Sequence, residues 1–121
     1  MAITKQKTEN TVTYSLGEEK VLVATIEEGE ELFLKIEGAI KTLVAPCLDE
    51  VIKDIMAENS GFVIDFSGVT YIASAGLRVL LNMQQDIDEN EKPEVFIIDL
   101  SDSVREVFEQ TGFINILSIR D

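Results

Sequence analysis

The sequence predicts an α/β fold with a mixed sheet of four to five strands and three to four helices, mainly on one face. Three observations support this class. Apolar segments with strand periodicity alternate with segments of helical periodicity. The 121 residues suit one compact domain, and a hydrophobic content of 45% is enough for a core. Neighbouring strands joined by a short turn pair antiparallel, whereas strands separated by a helix pair in parallel, so both kinds of pairing are expected.

The N-terminal part of the chain is predicted to contain an extension followed by a hairpin. Residues 1–20 are polar and rich in threonine, and we interpret them as an extension of a single domain at 21–121, with TVTYSL as a candidate extra strand. KVLVATIEEGEELFLKIEGAI predicts a hairpin, because apolar residues alternate on both sides of EEGEE, where Gly29 can take a positive φ. We interpret the glutamates as a solvent-exposed hairpin tip, and a docking patch is the alternative.

The segment TLVAPCLDEVIKDIMAEN predicts the first helix. Pro46 falls in its first turn, where a missing N–H matters least. Cys47 lies beside the apolar stripe and is interpreted as a small hydrophobic residue at the edge of the core, not as a reactive thiol. The stripe that the helical spacing predicts to be buried consists of Val44, Leu48, Val51, Ile52 and Ile55.

The segment GFVIDFSGVTYI predicts a strand covered on both faces and then a turn at Ser67-Gly68. Asp65 interrupts the apolar run. We interpret it as a structural carboxylate that accepts hydrogen bonds from neighbouring backbone amides, and an acid or a ligand role is the alternative.

The second half of the chain predicts two further helices and a strand. The second helix spans about Ser74 to Asp88, EVFIIDL is the next strand, and SDSVREVFEQTG is the third helix. Ser103 and Glu106 fit a capping box, and Gly112 fits a C-terminal cap. FINILSI is expected to close the domain. The apolar stripe of the second helix is formed by Gly76, Leu77, Leu80, Leu81, Met83 and Ile87.

The composition excludes several classes of function. The chain has no histidine and a single cysteine, so we expect no bound metal, no cofactor and no enzymatic activity. A net charge of −13 disfavours nucleic acid and anionic lipid as partners. No apolar segment is long enough for membrane insertion, and the N-terminus has no secretory signal. Together with the lone cysteine, this predicts a cytoplasmic protein.

Three segments in this order resemble the STAS domain family, of the bacterial anti-sigma-factor antagonist type. LFLKIEGAI resembles the family's strand before the first helix, FVIDFSGVTYIASAGLRVLL resembles its signature, and SDSVREVFEQTGFINIL resembles its last helix. The resemblance spans roughly Thr25 to Ile119. It implies a protein that binds an anti-sigma factor, which is also a serine/threonine kinase, and that is switched off by serine phosphorylation and reset by a PP2C-type phosphatase.

The resemblance places the phosphorylation site at Ser74, in the segment Ala73-Ser74-Ala75-Gly76. Ala73 and Ala75 stand where many family members carry an acidic residue and a further serine, and Lys41 stands where many carry an aspartate. A serine here also predicts an N-cap for the second helix. The alternative is a STAS adaptor or scaffold subunit, in a signalling assembly or a lipid transporter, without phosphorylation. The expected partner-binding residues are Ala73, Ser74, Ala75, Gly76, Lys41 and Arg78.

Overall fold

The computed structural model describes residues 2–58 and 61–120. In this part of the chain, seven strands and three α-helices follow one another, with a single turn of 3-10 helix at Phe113–Asn115. In chain order the elements are β1 Ile3–Lys7, β2 Thr11–Leu16, β3 Glu19–Glu28, β4 Leu32–Ile40, α1 Ala45–Glu58, β5 Phe62–Ile72, α2 Ser74–Glu89, β6 Val95–Ile98, α3 Asp102–Thr111 and β7 Ser118–Ile119.

The strands form one mixed sheet in which spatial order equals sequence order, from β1 to β7. β1 to β4 pair antiparallel as a meander, and β4 to β7 pair in parallel through connections that contain α1, α2 and α3. The mixed α/β sheet is therefore confirmed. It has more strands than the four to five predicted, because β1, β2 and the short β7 add to both edges of the central strands.

One hydrophobic core lies between the sheet and the helices. Alternate residues of the strands, such as Leu34, Ile36 and Ile64, are fully buried in it. Residues of all three helices belong to the same cluster, so the helices cover one face of the sheet, as predicted. Phe66 of β5 meets Phe108 of α3 edge to face, with ring centroids 6.5 Å apart. The predicted α1 stripe is confirmed, with Val44, Leu48, Val51, Ile52 and Ile55 all buried.

One turn prediction is wrong, and a second turn is confirmed but differs in one backbone detail. Ser67-Gly68 is not a turn but lies within β5, whose pairing with β4 changes register between Lys35 and Glu37 and again after Gly38. β5 has extra residues relative to β4, and they form bulge-like irregularities while the two strands remain paired. At the hairpin tip, Gly29 does not take a positive φ. Its N–H instead donates to the Glu31 carbonyl at 3.1 Å.

Asp65 has the structural role that the sequence predicts. Its Oδ1 accepts a hydrogen bond from the Ser67 N–H at 2.8 Å. This bond occupies a backbone donor at the place where β5 departs from regular pairing with β4. The carboxylate therefore holds the irregular part of the strand in shape.

The third helix is capped by a different serine from the one predicted. The capping box of Ser103 and Glu106 is wrong, because Ser101 is the N-cap and its Oγ accepts from the Val104 N–H at 3.4 Å. The Ser103 hydroxyl donates to the Thr70 carbonyl of β5 at 3.2 Å. At the other end, Gly112 is the C-cap with φ 81°, as predicted.

The first two strands pack against α1 through one buried tyrosine. Tyr14 of β2 is 4% exposed, and its hydroxyl donates to Glu50 Oε1 of α1 at 2.9 Å. Lys5 of β1 forms an ion pair with the same carboxylate. The Lys5 and Tyr14 hydrogen bonds lower the pKa of Glu50, while burial and the Glu50 carboxylate raise the pKa of Tyr14.

Candidate functional site

The loop before α2 is anchored on the end of the neighbouring strand. Ala73 is the N-cap of α2, with an extended backbone at φ −84° and ψ 167°. Its N–H donates to the carbonyl of Ile40, the last residue of β4, at 2.8 Å. Its own carbonyl accepts from the N–H groups of Gly76 and Leu77 at 2.9 and 3.1 Å. The start of α2 is thus fixed relative to the central strands.

Gly76 allows α2 to approach the sheet closely. A Cβ at this position would lie 2.8 Å from Ile40 Cγ2 and 2.8 Å from Ile72 Cγ1. Both isoleucines are buried. Gly76 is itself buried, so it positions the start of α2 but is not accessible to a partner protein.

Ser74 is the first residue of α2 and is exposed. The expectation that it caps the helix is wrong, because the preceding Ala73 occupies the N-cap and α2 has no side-chain cap hydrogen bond. Within residues 2–58 and 61–120, no hydrogen bond joins the Ser74 hydroxyl to another group. The hydroxyl is therefore free to react or to meet a partner.

A groove runs beside Ser74 between the N-terminal halves of α1 and α2. We call it the α1–α2 groove, and its volume is about 490 Å³. Of the predicted site residues, Ser74, Ala75 and Arg78 line it, whereas Ala73, Gly76 and Lys41 do not. Its walls include Thr42, Pro46 and Asp49 on the α1 side, and Ser74, Arg78 and Asn82 on the α2 side.

Two predicted cations flank this surface. Arg78 is exposed and lies one helical turn after Ser74. Lys41 is exposed directly after β4, and its carbonyl accepts from Val44 and Ala45 at the start of α1. In the described ranges neither side chain belongs to an ion pair, whereas those of Lys5, Lys35, Lys53, Lys92 and Arg120 do. The surface around Ser74 therefore carries uncompensated positive charge in a strongly acidic chain.

The sequence did not indicate some residues of this surface. Pro46 and Asn82 line the groove, and the apolar pattern marks neither of them. A polar or proline residue on the outer face of a helix gives no periodic signal, so only the packing of α1 beside α2 reveals these positions.

Three further features bear on what the described part of the chain can bind or react with. It contains no cluster of three or more His, Cys, Asp or Glu side chains able to hold a metal ion. None of the described helices combines the length and apolar character needed to cross a bilayer. Cys47 is buried, and desolvation raises the pKa of its thiol, which favours the uncharged form.

The chain belongs to the STAS domain family, which matches residues 22–121. It is 24% identical over 89 residues to the anti-sigma-B factor antagonist of Staphylococcus aureus, across 73% of this chain and 82% of that protein. The fold is similar to that of an anti-sigma factor antagonist from Mycobacterium paratuberculosis, with a TM-score of 0.72, 20% identity, and coverage of 81% of this chain and 84% of that one.

The fold is also similar to that of the anti-sigma factor antagonist SpoIIAA in two forms. The unphosphorylated form has a TM-score of 0.63 and 13% identity, with coverage of 81% of this chain and 88% of that one. The phosphorylated form has a TM-score of 0.58 and 12% identity, with coverage of 81% and 91%. β1 and β2 precede the family-matched range, so they are additions to its N-terminal side.

Proposed function

We propose that this protein is an anti-sigma-factor antagonist that binds an anti-sigma factor through the α1–α2 groove and the start of α2. The anti-sigma factor is also a serine/threonine kinase, and its phosphorylation of Ser74 ends the interaction. A PP2C-type phosphatase removes the phosphate and restores binding. The role requires no catalysis by this chain.

The exposed, unpartnered hydroxyl at the first position of α2 carries the proposal. It is the one hydroxyl within Ala73-Ser74-Ala75-Gly76, and small residues on both sides let another protein approach the backbone. The names of the relatives support the antagonist role, and the solved phosphorylated form of SpoIIAA supports phosphorylation as the means of control.

The position tolerates a phosphate without loss of the fold. In the transfer, the bond from the γ-phosphorus of ATP to its bridging oxygen breaks and a bond to Ser74 Oγ forms, so ADP and the hydroxyl proton are released. The phosphoserine carries a charge of about −1.5 to −2. Unpaired N–H groups and the positive end of the dipole at the start of α2 favour that charge.

A partner fitted to the neutral loop does not tolerate the same charge. Burying a dianion against groups that do not pair with it carries a large desolvation penalty. A penalty of about 4 kcal/mol would lower the affinity about a thousandfold. This is enough for one phosphate to switch the complex off.

The proposal predicts that a GHKL-type anti-sigma-factor kinase is encoded beside this protein's gene, and that kinase is the one to use in the test. The kinase and ATP should add one phosphate to the wild type, and fragment mass spectrometry should place it on Ser74. Ser74→Ala should accept no phosphate yet bind the kinase as tightly as the wild type does. Ser74→Asp should bind more weakly, because its carboxylate carries part of the phosphate charge.

Ser103→Ala is the matched control, because Ser103 is another exposed serine in the first turn of a helix. It should be phosphorylated and should bind as the wild type does. Phosphate on Ser103 instead would move the site to α3. An unmodified wild type, with equal binding by all the variants, would support the adaptor role and contradict the switch.

A further inference from the structure

The α1–α2 groove contains one cation and one carboxylate. The carboxylate, Asp49, already forms an ion pair with Lys53 of its own helix at 2.9 Å. Arg78 has no such partner among the described residues and is exposed beside Ser74. The guanidinium is therefore the available counter-charge for an anion that enters the groove from α2.

The spacing of Ser74 and Arg78 favours a direct pair. Residues four apart on a helix are neighbours on its surface, and an acidic group placed N-terminal to a basic one is the better orientation. The two side chains also line the same groove. A phosphate accepts two parallel N–H bonds from one guanidinium, a geometry that an ammonium group cannot reproduce.

We propose that Arg78 binds the phosphate of phosphorylated Ser74 and holds it on the α2 side of the α1–α2 groove, so that the modified protein occupies part of the groove itself. This inference rests on the proposed function, because it concerns the phosphorylated state of Ser74. Phosphorylation then acts in two ways. It places negative charge on the loop. It also pairs with Arg78, so this cation is no longer available to a partner.

Other charges modulate this pair without replacing it. Asp49, across the groove, repels a phosphate, but Lys53 compensates its charge. Lys41 lies beside the groove residue Thr42, on the loop after β4, and adds a positive field from outside. Neither Asp49 nor Lys41 lies on α2 one turn from Ser74. Arg78 is therefore the residue expected to contact the phosphate.

The experiment uses the full chain with phosphoserine incorporated at position 74 through an expanded genetic code, so that no kinase is involved. The second pKa of phosphoserine is about 6, and ³¹P NMR follows its titration directly. A bound guanidinium favours the dianion, so Arg78→Gln should raise the midpoint by about 0.15 to 0.4 pH unit. Arg78→Lys should restore part of the difference, because it keeps the charge but not the two parallel bonds.

Lys20→Gln is the matched control, because it removes one exposed positive charge on β3, a strand outside the groove. Its midpoint should equal that of the parent phosphoprotein. Equal midpoints for Arg78→Gln and Lys20→Gln would overturn the proposal. Loss of the native circular dichroism spectrum on incorporation of phosphoserine would also overturn it, because the pair needs an intact α2.

The result is independent of the kinase assay. If the phosphate midpoint shifts in Arg78→Gln but the anti-sigma-factor kinase leaves Ser74 unmodified, only the proposed function fails. If the kinase modifies Ser74 but Arg78→Gln leaves the midpoint unchanged, only the pairing fails. In the unphosphorylated protein, Arg78→Gln should leave the urea midpoint unchanged, since the exposed side chain makes no ion pair there.

Discussion

Replacing Gly76 by alanine should destabilise the protein, although alanine is the better helix former. The new Cβ would lie 2.8 Å from a carbon of Ile40 and 2.8 Å from a carbon of Ile72. Carbon atoms are in favourable contact at about 3.5 to 4.0 Å, so each contact is about 0.7 Å too short. Both isoleucines are buried and cannot move into solvent. Either α2 moves outward or the isoleucines leave their preferred rotamers.

The net effect follows from two opposing terms. Overfilling a packed core costs about 1 to 3 kcal/mol. The better helix propensity of alanine offsets at most about 1 kcal/mol of this, and less at the third residue of a helix. We therefore expect Gly76→Ala to lower the free energy of unfolding by about 1 to 2 kcal/mol. In urea unfolding followed by circular dichroism, the midpoint should fall by about 0.5 to 1 M.

Two further variants separate steric conflict from other causes. Gly29→Ala at the hairpin tip should leave stability within about 0.5 kcal/mol, since the nearest atom to its new Cβ is 3.8 Å away. Ile72→Ala should cost about 2 to 5 kcal/mol alone but less in combination with Gly76→Ala, because the cavity receives the new methyl group. Strict additivity of the two changes, or a fully stable Gly76→Ala, would refute the proposed close contact.

Three further predictions concern stability outside the loop. Tyr14→Phe should cost about 1 kcal/mol, because it removes the hydrogen bond to Glu50. The folded-state pKa of Glu50 lies below its ordinary value of 4.5, so its contribution is present above that pH and is lost as pH falls through the folded pKa. Glu50→Gln should therefore flatten the loss of stability below that pH in acid titrations of the urea midpoint, and an unchanged slope would contradict the assignment. Ser101→Ala should cost about 1 kcal/mol and Ser103→Ala less, and the reverse order in urea unfolding would contradict Ser101 as the cap of α3.

Local patterns in the sequence determined the order and type of the central elements. The spacing from Val44 to Ile55 predicted the buried side of α1, and the alternation around EEGEE predicted the hairpin of β3 and β4. Ser74 was correctly placed at the start of α2. These features depend on residues close together in the chain, so periodicity and turn composition are sufficient to find them.

The helix caps and the full extent of the sheet were decided by the tertiary structure. Ala73 became the N-cap of α2 because its N–H pairs with the end of β4, which leaves the Ser74 hydroxyl free. Ser101, and not Ser103, is the N-cap of α3, at the place where both serine hydroxyls donate to carbonyl groups of β5. The polar strand β1 is held by pairing with β2, not by an apolar pattern of its own.

The tertiary structure also decided the α1–α2 groove. Thr42, Asp49 and Arg78 are distant in sequence or lie on outward faces, and they share one cavity because α1 packs beside α2 on one side of the sheet. The sequence determined that a hydroxyl and a cation lie one turn apart on α2. Only the packing of the two helices decided that both face a cavity, because a cavity is a property of two surfaces and not of either segment alone.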